Sequence, residues 1–428
     1  MRTFEQSARQ LERAERVIPL GSQTFSKSRT QYPLGVSPLF IQRGQGSRVW
    51  DVDGNEYVDF VSSLLSITLG YGDPDVTQAV HAQLDEGVIF SLPHPLEAEV
   101  AELIVNLVPC AEQVRFGKNG SDATAGAIRL ARAYTGRDHV CVSGYHGWQD
   151  WYIGSTARHR GVPEATRNLT HGFPYNDLDA LEQLFAAHSG GIAAVILEPM
   201  NVEWPKEGFL EGVQELCRRE GAVFVLDETI TGFRFAKGGA QELFGITPDL
   251  ACFGKGLANG YPISALAGRR EIMKLMEEVF FSFTFGGELL SLAAAKATLQ
   301  KLKREPVTER LRAMGQRLLD AVPALVADAG LNDVIGMKGH PSWTFLTIGD
   351  ADNAGGFKIK TLLMQELHQR GFLSFGTHNL NYAHSDEEID DLLEAYGEIL
   401  PQIAEGLGAG TLDTMIRGET LVPLFKVR

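Results

Sequence analysis

Several short apolar runs in the middle of the chain are followed directly by residues that could do chemistry. After the runs that end at positions 116, 143, 197, 226 and 253 come Gly120 with Ser121, Tyr145, Glu198, Asp227 and Lys255, in that order. Functional groups of an open parallel sheet gather just beyond the carboxyl ends of its strands. We therefore predict that a glycine-rich helix start, an aromatic ring, two carboxylates and an amine converge on one rim.

Lys255 stands between two glycines in the stretch FGKGLANGYP, which carries no other charge. A lysine is rarely buried without a role. Partial desolvation would favour its neutral, nucleophilic amine, which Schiff-base chemistry requires. A surface lysine in a glycine-rich loop would give the same residues, and for Lys255 taken alone that interpretation is the simpler one.

Asp227 and Ser121 each allow two interpretations. Asp227 follows an apolar run, and because an unpaired buried carboxylate is costly, a functional carboxylate and a structural ion pair are both open. The glycine-rich turn at Ser121 opens a predicted helix whose free N–H groups and dipole suit a phosphate. A plain helix cap is the alternative. A Walker A loop is excluded because asparagine follows Lys118.

Composition and spacing exclude several classes of protein. The chain has 428 residues and a formal net charge of −15, which opposes a nucleic-acid or anionic-membrane partner. Its four cysteines form no CxxC pair, so a disulfide scaffold and a thiolate zinc site are not expected. We expect no metal site, because His378 and His384 have zinc-like spacing but no third ligand nearby. Without a signal peptide or a long apolar run, a cytoplasmic enzyme with no membrane partner is predicted.

The elements that must position these residues are short β-rich runs joined by helical patterns. Strands are predicted at 114–116, 139–143, 193–197, 222–226, 250–253 and 263–267. Alternation of this kind favours an α/β fold whose largely parallel sheet is covered on both faces. The length of the chain favours two or three domains.

The pattern changes near residue 305, where long charged helices are predicted at 303–328, 357–370 and 385–403. Near the N-terminus, Ser47–Phe60 holds two alternating runs around Asp53-Gly54, a strong hairpin signal. We therefore predict a large domain over 61–305. A smaller α+β domain would combine an N-terminal segment, 1–60, with the C-terminal residues 306–428.

Four stretches of the chain resemble a known family. They are WDVDGNEYVDF, NGSDATAGAIRLARAYTGRD followed by GYHG, LDETITGFR followed by GGAQELFGITPDLACFGKGLANGYP, and FSFTFGGELLSLAAA. They resemble class III pyridoxal-phosphate aminotransferases, in the branch that contains glutamate-1-semialdehyde aminomutase, and the likeness extends from about residue 15 to 400. The resemblance implies fold type I, with a large, mainly parallel seven-stranded sheet and a smaller α+β domain, and pyridoxal 5'-phosphate as cofactor.

The resemblance also implies roles for single residues. Lys255 would hold the cofactor through a Schiff base and carry the proton between the substrate and cofactor carbons. Asp227 would pair with the pyridine nitrogen and keep it protonated. The other implied cofactor contacts are Gly120 and Ser121 at the phosphate, Tyr145 stacked on the ring, Glu198 nearby, Thr229 on the opposite ring face, and Thr284. This last residue would reach the phosphate of the neighbouring subunit, in a homodimer with shared active sites.

Departures from the aminomutases favour transfer between two molecules, from an amino donor such as glutamate to an aldehyde or ketone. The segment Gly147–Pro163 is shorter than the mobile loop of the aminomutases, and Lys27 stands where they have an arginine for the substrate carboxylate. Sequences of this sort resemble sugar and aminocyclitol aminotransferases of polysaccharide or antibiotic pathways. The predicted substrate contacts are Lys27 and His378.

Three alternatives remain open at this point. The first is the aminomutase itself, or a related racemase or epimerase. The second is a pyridoxal-phosphate lyase or decarboxylase, which would use the same Lys255 and Asp227. The third is a catalytically inactive binding or scaffold protein, against which the presence of Lys255, Asp227 and Thr284 together argues.

Overall fold

The computed structural model describes residues 2–422, which divide into two compact units. Among the described residues, the terminal unit comprises 2–73 and 309–422, and the central unit comprises 74–308. The sequence places the corresponding boundaries after residues 60 and 305. No helix among residues 2–422 is long and apolar enough to span a bilayer.

The strands and helices of the described residues are numbered in chain order. The strands are β1 (Ile41–Gln45), β2 (Arg48–Asp51), β3 (Glu56–Asp59), β4 (Gln113–Gly117), β5 (His139–Ser143), β6 (Thr170–Gly172), β7 (Ile192–Leu197), β8 (Val223–Asp227), β9 (Leu250–Phe253), β10 (Ser264–Gly268), β11 (Ile335–His340), β12 (Trp343–Ile348), β13 (Phe372–Leu373) and β14 (Thr377–His378). The helices are α1 (Glu5–Glu15), α2 (Ser62–Leu65), α3 (Pro74–Glu86), α4 (Pro95–Leu107), α5 (Gly120–Thr135), α6 (Asp150–Ile153), α7 (Glu164–Arg167), α8 (Leu178–Ala187), α9 (Phe209–Glu220), α10 (Ala240–Phe244), α11 (Arg270–Met273), α12 (Leu289–Arg304), α13 (Val307–Asp328), α14 (Gly356–Arg370), α15 (Asp386–Ala409) and α16 (Leu412–Met415).

The central unit is built on a seven-stranded sheet with the order β4-β10-β9-β8-β7-β5-β6. Only β10 runs antiparallel to its neighbours, so the prediction of a large, mainly parallel sheet is confirmed. The six predicted strands lie within one residue of β4, β5, β7, β8, β9 and β10. The sequence analysis missed β6, because its three residues, Thr-His-Gly, form no apolar run.

The inner strands are buried on both faces, which explains their continuous apolar character. Every residue of β7, β8 and β9 is buried. Along β8, Val223 and Val225 pack with residues of α5, whereas Phe224 and Leu226 pack with residues of α8 and α9. Helices on both sides therefore fix the sheet and the positions at which its strands end.

The terminal unit is an α+β arrangement with two small sheets, β1-β2-β3-β13 and β11-β12-β14. The predicted hairpin is confirmed, since β2 and β3 pair antiparallel. The prediction of one helix over 303–328 was wrong at its start, where α12 ends at Arg304 and α13 begins at Val307. Pro306 lies in the gap, and proline disfavours helical geometry in the residue before it.

A left-handed turn in the terminal unit is an unusual backbone feature. The residues of α2, from Ser62 to Leu65, have φ angles of 44°, 48°, 60° and 70°, although none of them is glycine. Each such residue costs roughly 1–2 kcal/mol. Asp59 stabilises the start of the turn, because its Oδ1 accepts the N–H groups of Val61 at 2.7 Å and Ser62 at 3.1 Å.

Candidate active site

A cavity at the carboxyl ends of the central strands is the candidate active site. The free space in the cavity and its open mouth is about 550 Å³. Its walls include seven of the predicted cofactor contacts, namely Gly120, Ser121, Tyr145, Glu198, Asp227, Thr229 and Lys255. The strand-end residues that the sequence singled out therefore lie together, because β4, β5, β7, β8 and β9 are parallel to one another and end at the same edge of the sheet.

Asp227 is the last residue of β8, and hydrogen bonds hold its carboxylate on both sides. The residue is only 5% exposed. His146 Nδ1 lies 2.9 Å from Oδ2. Oδ1 accepts the Thr229 hydroxyl at 2.5 Å and the Thr229 N–H at 3.1 Å. The carboxylate is thus fixed in orientation without an arginine or lysine ion pair among the described residues.

His146 is a site residue that the sequence analysis did not identify. It is 1% exposed, and its Nε2 has no hydrogen-bond partner among the described residues. A buried ring nitrogen without a partner is exceptional in a folded protein. The only sequence signal was its position beside Tyr145 in Gly-Tyr-His-Gly, because its partner Asp227 lies 81 residues further along the chain.

Lys255 follows β9 by one glycine and is half-buried. Its φ angle of +40° is in the left-handed region, which non-glycine residues adopt mainly where the surrounding structure forces them to, often at functional sites. The neighbouring loops approach closely, since a Cβ atom at Gly254 would lie 3.3 Å from Thr229 Cγ2. A Cβ atom at Gly120 would lie 2.9 Å from the same methyl group, so glycine is required there.

Lys118 is the other lysine near these strand ends, and its amine is occupied elsewhere. Its Nζ donates to Glu288 Oε2 at 2.9 Å and to Ser291 Oγ at 3.2 Å, at the start of α12. Lys118 does not line the cavity. Among the residues that line it, Lys255 is therefore the candidate nucleophilic amine.

The start of α5 forms a cradle for an anion. Asp122 Oδ2 accepts the N–H groups of Lys118 at 2.9 Å and Asn119 at 3.0 Å. The N–H groups of the next residues, Gly120 and Ser121, belong to the first turn, where an α-helix provides no carbonyl partner. Gly147 has a φ angle of +105°, and a Cβ atom there would lie 2.3 Å from Ser121 Oγ, so only glycine lets this loop approach the helix start.

Glu198 fixes the backbone of Tyr145. Its Oε2 accepts the Tyr145 N–H at 3.0 Å and the Asn201 side-chain amide at 3.1 Å. The Tyr145 ring is 38% exposed and lies edge-on to the Tyr152 ring, with 5.7 Å between the ring centroids. Glu198 therefore helps to shape the wall of the cavity by fixing the backbone of Tyr145.

These groups match the three reactive parts of pyridoxal phosphate. An amine that can meet the aldehyde is present in Lys255, and a buried acid that can meet the ring nitrogen is present in Asp227. The start of α5 offers N–H groups to the phosphate. The residues present therefore fit the cofactor.

Three other predicted site residues lie outside the cavity. Thr284 is exposed on the segment before α12. Lys27 belongs to the terminal unit, where its Nζ donates to Ser63 Oγ at 3.1 Å. His378 is fully buried, with Nδ1 2.8 Å from Thr344 Oγ1 and Nε2 2.7 Å from the Tyr396 hydroxyl.

The burial of His378 corrects the sequence analysis. Both ring nitrogens are occupied by protein partners, and burial lowers the pKa of His378 to about 3, so the ring is neutral. The residue packs the interior of the terminal unit and has no atom to offer a substrate. Its polarity suggested a binding role because burial could not be inferred from the surrounding sequence.

Lys27 lines a pocket within the terminal unit, which we call the Lys27 pocket. The free space in the pocket and its open mouth is about 830 Å³. The residues that line it are Lys27, Tyr32, Pro38, Leu39, Ile41, Asp59, Val61, Ser63, Leu64, Tyr71 and Leu373. Asp59 accepts the Tyr71 hydroxyl at 2.6 Å, and burial raises the pKa of its carboxyl group. The pocket is therefore largely apolar, with one cation and one buried acid.

Comparisons with known proteins agree with this site. The family described as Aminotransferase class-III matches residues 31–395. The 3-aminobutyryl-CoA aminotransferase of Cloacimonas acidaminovorans is 35% identical, over 92% of this chain and 97% of its own. The glutamate-1-semialdehyde 2,1-aminomutase of Syntrophobacter fumaroxidans is 36% identical, over 92% of this chain and 97% of its own.

Solved structures support the same assignment. The FumI protein of Sphingopyxis sp. MTA144, in its internal aldimine form with pyridoxal phosphate, superposes with a TM-score of 0.88 and 31% identity. The likeness covers 95% of this chain and 98% of FumI. Fold type I and the use of pyridoxal phosphate, both implied by the sequence resemblance, are thereby confirmed. The chain belongs to the class III aminotransferases, which are pyridoxal-phosphate-dependent enzymes.

Proposed function

We propose that this enzyme transfers an amino group between two small molecules, an amino donor and an aldehyde or ketone acceptor. The observation that carries the proposal is the cavity of the central unit, where Lys255, the oriented Asp227 and the anion cradle at Ser121 lie together. An inactive scaffold protein would have no reason to keep Asp227 buried between His146 and Thr229.

Pyridoxal phosphate, when bound, supplies an aldehyde that condenses with amines and a ring that accepts electrons from a neighbouring C–H bond. Lys255 would bind at the aldehyde position and, once a substrate amine displaces it, carry the proton from one carbon to the other. Asp227 would accept a hydrogen bond from the ring N–H and keep that proton in place. His146 and Thr229 would hold the Asp227 carboxylate still, so that no reorientation is needed during turnover.

The remaining contacts would bind and orient. Gly120 and Ser121 would hold the phosphate at the positive end of the α5 dipole. Tyr145 would stack on the ring, with Glu198 holding its backbone, and Thr229 would lie on the opposite face. All of these residues line the cavity, which supports this distribution of roles.

Transfer of the amino group between two molecules, rather than within one molecule, is supported by the segment Gly147–Pro163. This segment is short, and it contains α6, whose Trp151 and Tyr152 are buried in the core of the central unit. Because α6 is packed, only the mostly exposed stretch 155–163 is left to move, and so short a stretch is poorly suited to act as a lid that retains a released intermediate. An aminomutase is the alternative, and the relative from Syntrophobacter fumaroxidans carries that name.

A homodimer with shared sites is part of the proposal. Thr284 lies between two exposed aromatic residues, Phe283 and Phe285. A second exposed apolar segment, with Phe90 and Leu92, lies close by, since the N–H of Leu289 donates to the carbonyl of Val88 at 2.9 Å. Contiguous exposed apolar surface usually marks an interface. This surface would place Thr284 against the phosphate in the partner's site.

The substrate would be bound in part by Lys27, which stands at the position of the aminomutase arginine. The sequence favours a sugar or aminocyclitol acceptor. The Lys27 pocket is lined mainly by apolar side chains, including Leu39, Val61 and Leu64, which favours instead an acceptor with an apolar body and one anionic group.

A cytoplasmic location is also part of the proposal. It is supported by the four cysteines, which are free and buried.

A half-reaction experiment tests the proposal. Amino donors are added singly to the purified enzyme, and the visible band of the lysine-bound cofactor, at roughly 410–430 nm, is followed. We expect at least one donor to remove this band in a single turnover and release its keto product. An anionic apolar acceptor should then restore the band faster than an aldose or a ketosugar.

Two results would count against the proposal. A band that no donor removes, combined with an isomerised product, would establish an aminomutase or epimerase. Release of carbon dioxide or of an eliminated group would establish a decarboxylase or lyase.

A further inference from the structure

We propose that His139, His171 and His188 form a binding site for a divalent transition-metal ion, separate from the catalytic cavity. One ring nitrogen of each residue lies within 4.8 Å of the other two. His139 is the first residue of β5, whereas the cavity residue Tyr145 follows the last residue of that strand. The proposed metal site therefore lies at the opposite end of β5 from the cavity.

The backbone holds the three histidines on one face of the sheet. His171 on β6 pairs with Cys141 on β5, and side chains alternate along a strand, so His139 and His171 lie on the same face. His188 directly follows α8, which packs on that face. Gly191 joins the first and last of the three, since its N–H donates to the His188 carbonyl at 2.8 Å and its carbonyl accepts the His139 N–H at 3.0 Å.

The rings already touch one another. His139 Nδ1 lies 2.9 Å from His171 Nε2. The ring centroids of His171 and His188 are 4.1 Å apart, and those of His139 and His188 are 4.5 Å apart. All three side chains are partly exposed, so an ion from solvent can reach them.

Imidazole rings are the commonest protein ligands of transition-metal ions. A neutral imidazole keeps a lone pair for a metal ion, and three imidazoles without a thiolate suit zinc, copper or nickel.

Binding requires a change of tautomer, and the stacked rings must turn apart so that their lone pairs converge on the ion. Tetrahedral zinc holds its nitrogen ligands at 2.0–2.1 Å, which sets them about 3.3 Å from one another. The more distant ring nitrogens must therefore approach from at most 4.8 Å by rotation of partly exposed rings. The proton that lies between His139 Nδ1 and His171 Nε2 moves to the other nitrogen of the ring that carries it. A water molecule completes the coordination of the ion.

Metal titration of the full-length, cofactor-loaded enzyme without an affinity tag tests this site. The protein is stripped with a chelator and titrated with Co²⁺, whose ligand-field absorption reports nitrogen ligands, and then with Zn²⁺ by calorimetry. We expect one ion per chain. The variants H171A and H188A should bind at least about 100-fold more weakly, because loss of an outer-shell partner alone costs 10–100-fold.

The matched control is H81A, since His81 is an exposed histidine of α3 outside the cluster. Its affinity for Co²⁺ should equal that of the parent enzyme, and the basal turnover of all three variants should be unchanged. H171Q replaces H171A if the alanine variant fails to retain cofactor. Absence of a stoichiometric ion in the parent enzyme, or equal affinity in H171A and H188A, would overturn the proposal.

Discussion

The candidate active-site cavity of the central unit and the Lys27 pocket of the terminal unit hold their charged side chains in different ways. In the cavity, Asp227 is buried, with partners on both carboxylate oxygens. In the pocket, Lys27 is exposed, with a single 3.1 Å hydrogen bond to Ser63. Fixed groups suit chemistry that every turnover repeats, and an adjustable cation suits recognition of a substrate.

The two regions also differ in the kind of backbone that carries their side chains. Glu198, Asp227 and Lys255 lie at or just beyond the ends of fully buried parallel strands, so the sheet itself sets their positions. The Lys27 pocket is lined mainly by loops and by the left-handed turn Ser62–Leu65, with one residue each from the ends of β1, β3 and β13. Loops on a rigid scaffold tolerate sequence change, so the proposed substrate contacts can diverge there while the proposed cofactor contacts stay the same.

The largest effect is expected when Lys255, the amine that lines the cavity, is replaced. K255A should remove the visible band of the lysine-bound cofactor and lower kcat at least about 10⁴-fold, because one side chain supplies both the covalent contact and the proton transfer. Absorbance spectra and steady-state rates measure both. The control K118A should keep the band, since Lys118 is paired with Glu288. An unchanged spectrum in K255A would place the chemistry elsewhere.

The next largest effect is expected from Asp227, compared with the adjacent carboxylate. D227N should lower kcat by on the order of 100- to 1,000-fold with cofactor still bound, the usual loss when one electrostatic stabiliser is removed. Glu228 is buried, and it accepts the N–H groups of Ala240 at 2.6 Å and Gln241 at 2.9 Å. E228Q should therefore lower Tm and leave kcat nearly intact. Equal losses of kcat in both variants would show that Asp227 has no special role.

A smaller effect is expected from His146, which positions Asp227. H146F should lower kcat by about 10–100-fold, as removal of outer-shell partners commonly does. H146Q, whose side-chain amide can donate to Asp227, should recover part of the loss. Measurement of kcat, cofactor affinity and Tm together separates positioning from packing. If H146Q and H146F lose the same activity while Tm falls equally, the residue is only structural.

The smallest effect is expected in the Lys27 pocket. K27M should raise KM for an anionic substrate by about 10-fold, at the lower end for a hydrogen bond to a charged group, with kcat nearly unchanged. K27R should keep the affinity, and a neutral substrate should not distinguish the three enzymes. A similar rise in KM for anionic and neutral substrates would remove Lys27 from substrate binding and would break the contrast between the two regions.

The sequence predicted most of the central unit because the necessary information was local. Lys255, Asp227 and Glu198 each follow a continuous apolar run, and parallel strands bring such ends together. The prediction that these side chains converge depended only on strand order and direction. Their assigned roles remain predictions until the variants are measured.

The sequence analysis failed where partners are distant along the chain. His146 pairs with Asp227 81 residues away, and the His139, His171 and His188 cluster follows no spacing motif. β6 was missed because a polar edge strand has no apolar pattern. His378 was assigned to substrate binding because its burial depends on Tyr396 and Thr344, which belong to other elements of the terminal unit.

The covalent attachment site is the most direct test of the central claim. Borohydride reduction of the enzyme fixes the cofactor to the amine that holds it, and peptide mass spectrometry then locates the added phosphopyridoxyl group. We predict that the group lies on the peptide with the sequence FGKGLANGYP, at Lys255. Attachment at Lys118, at any other lysine, or at none would contradict the account.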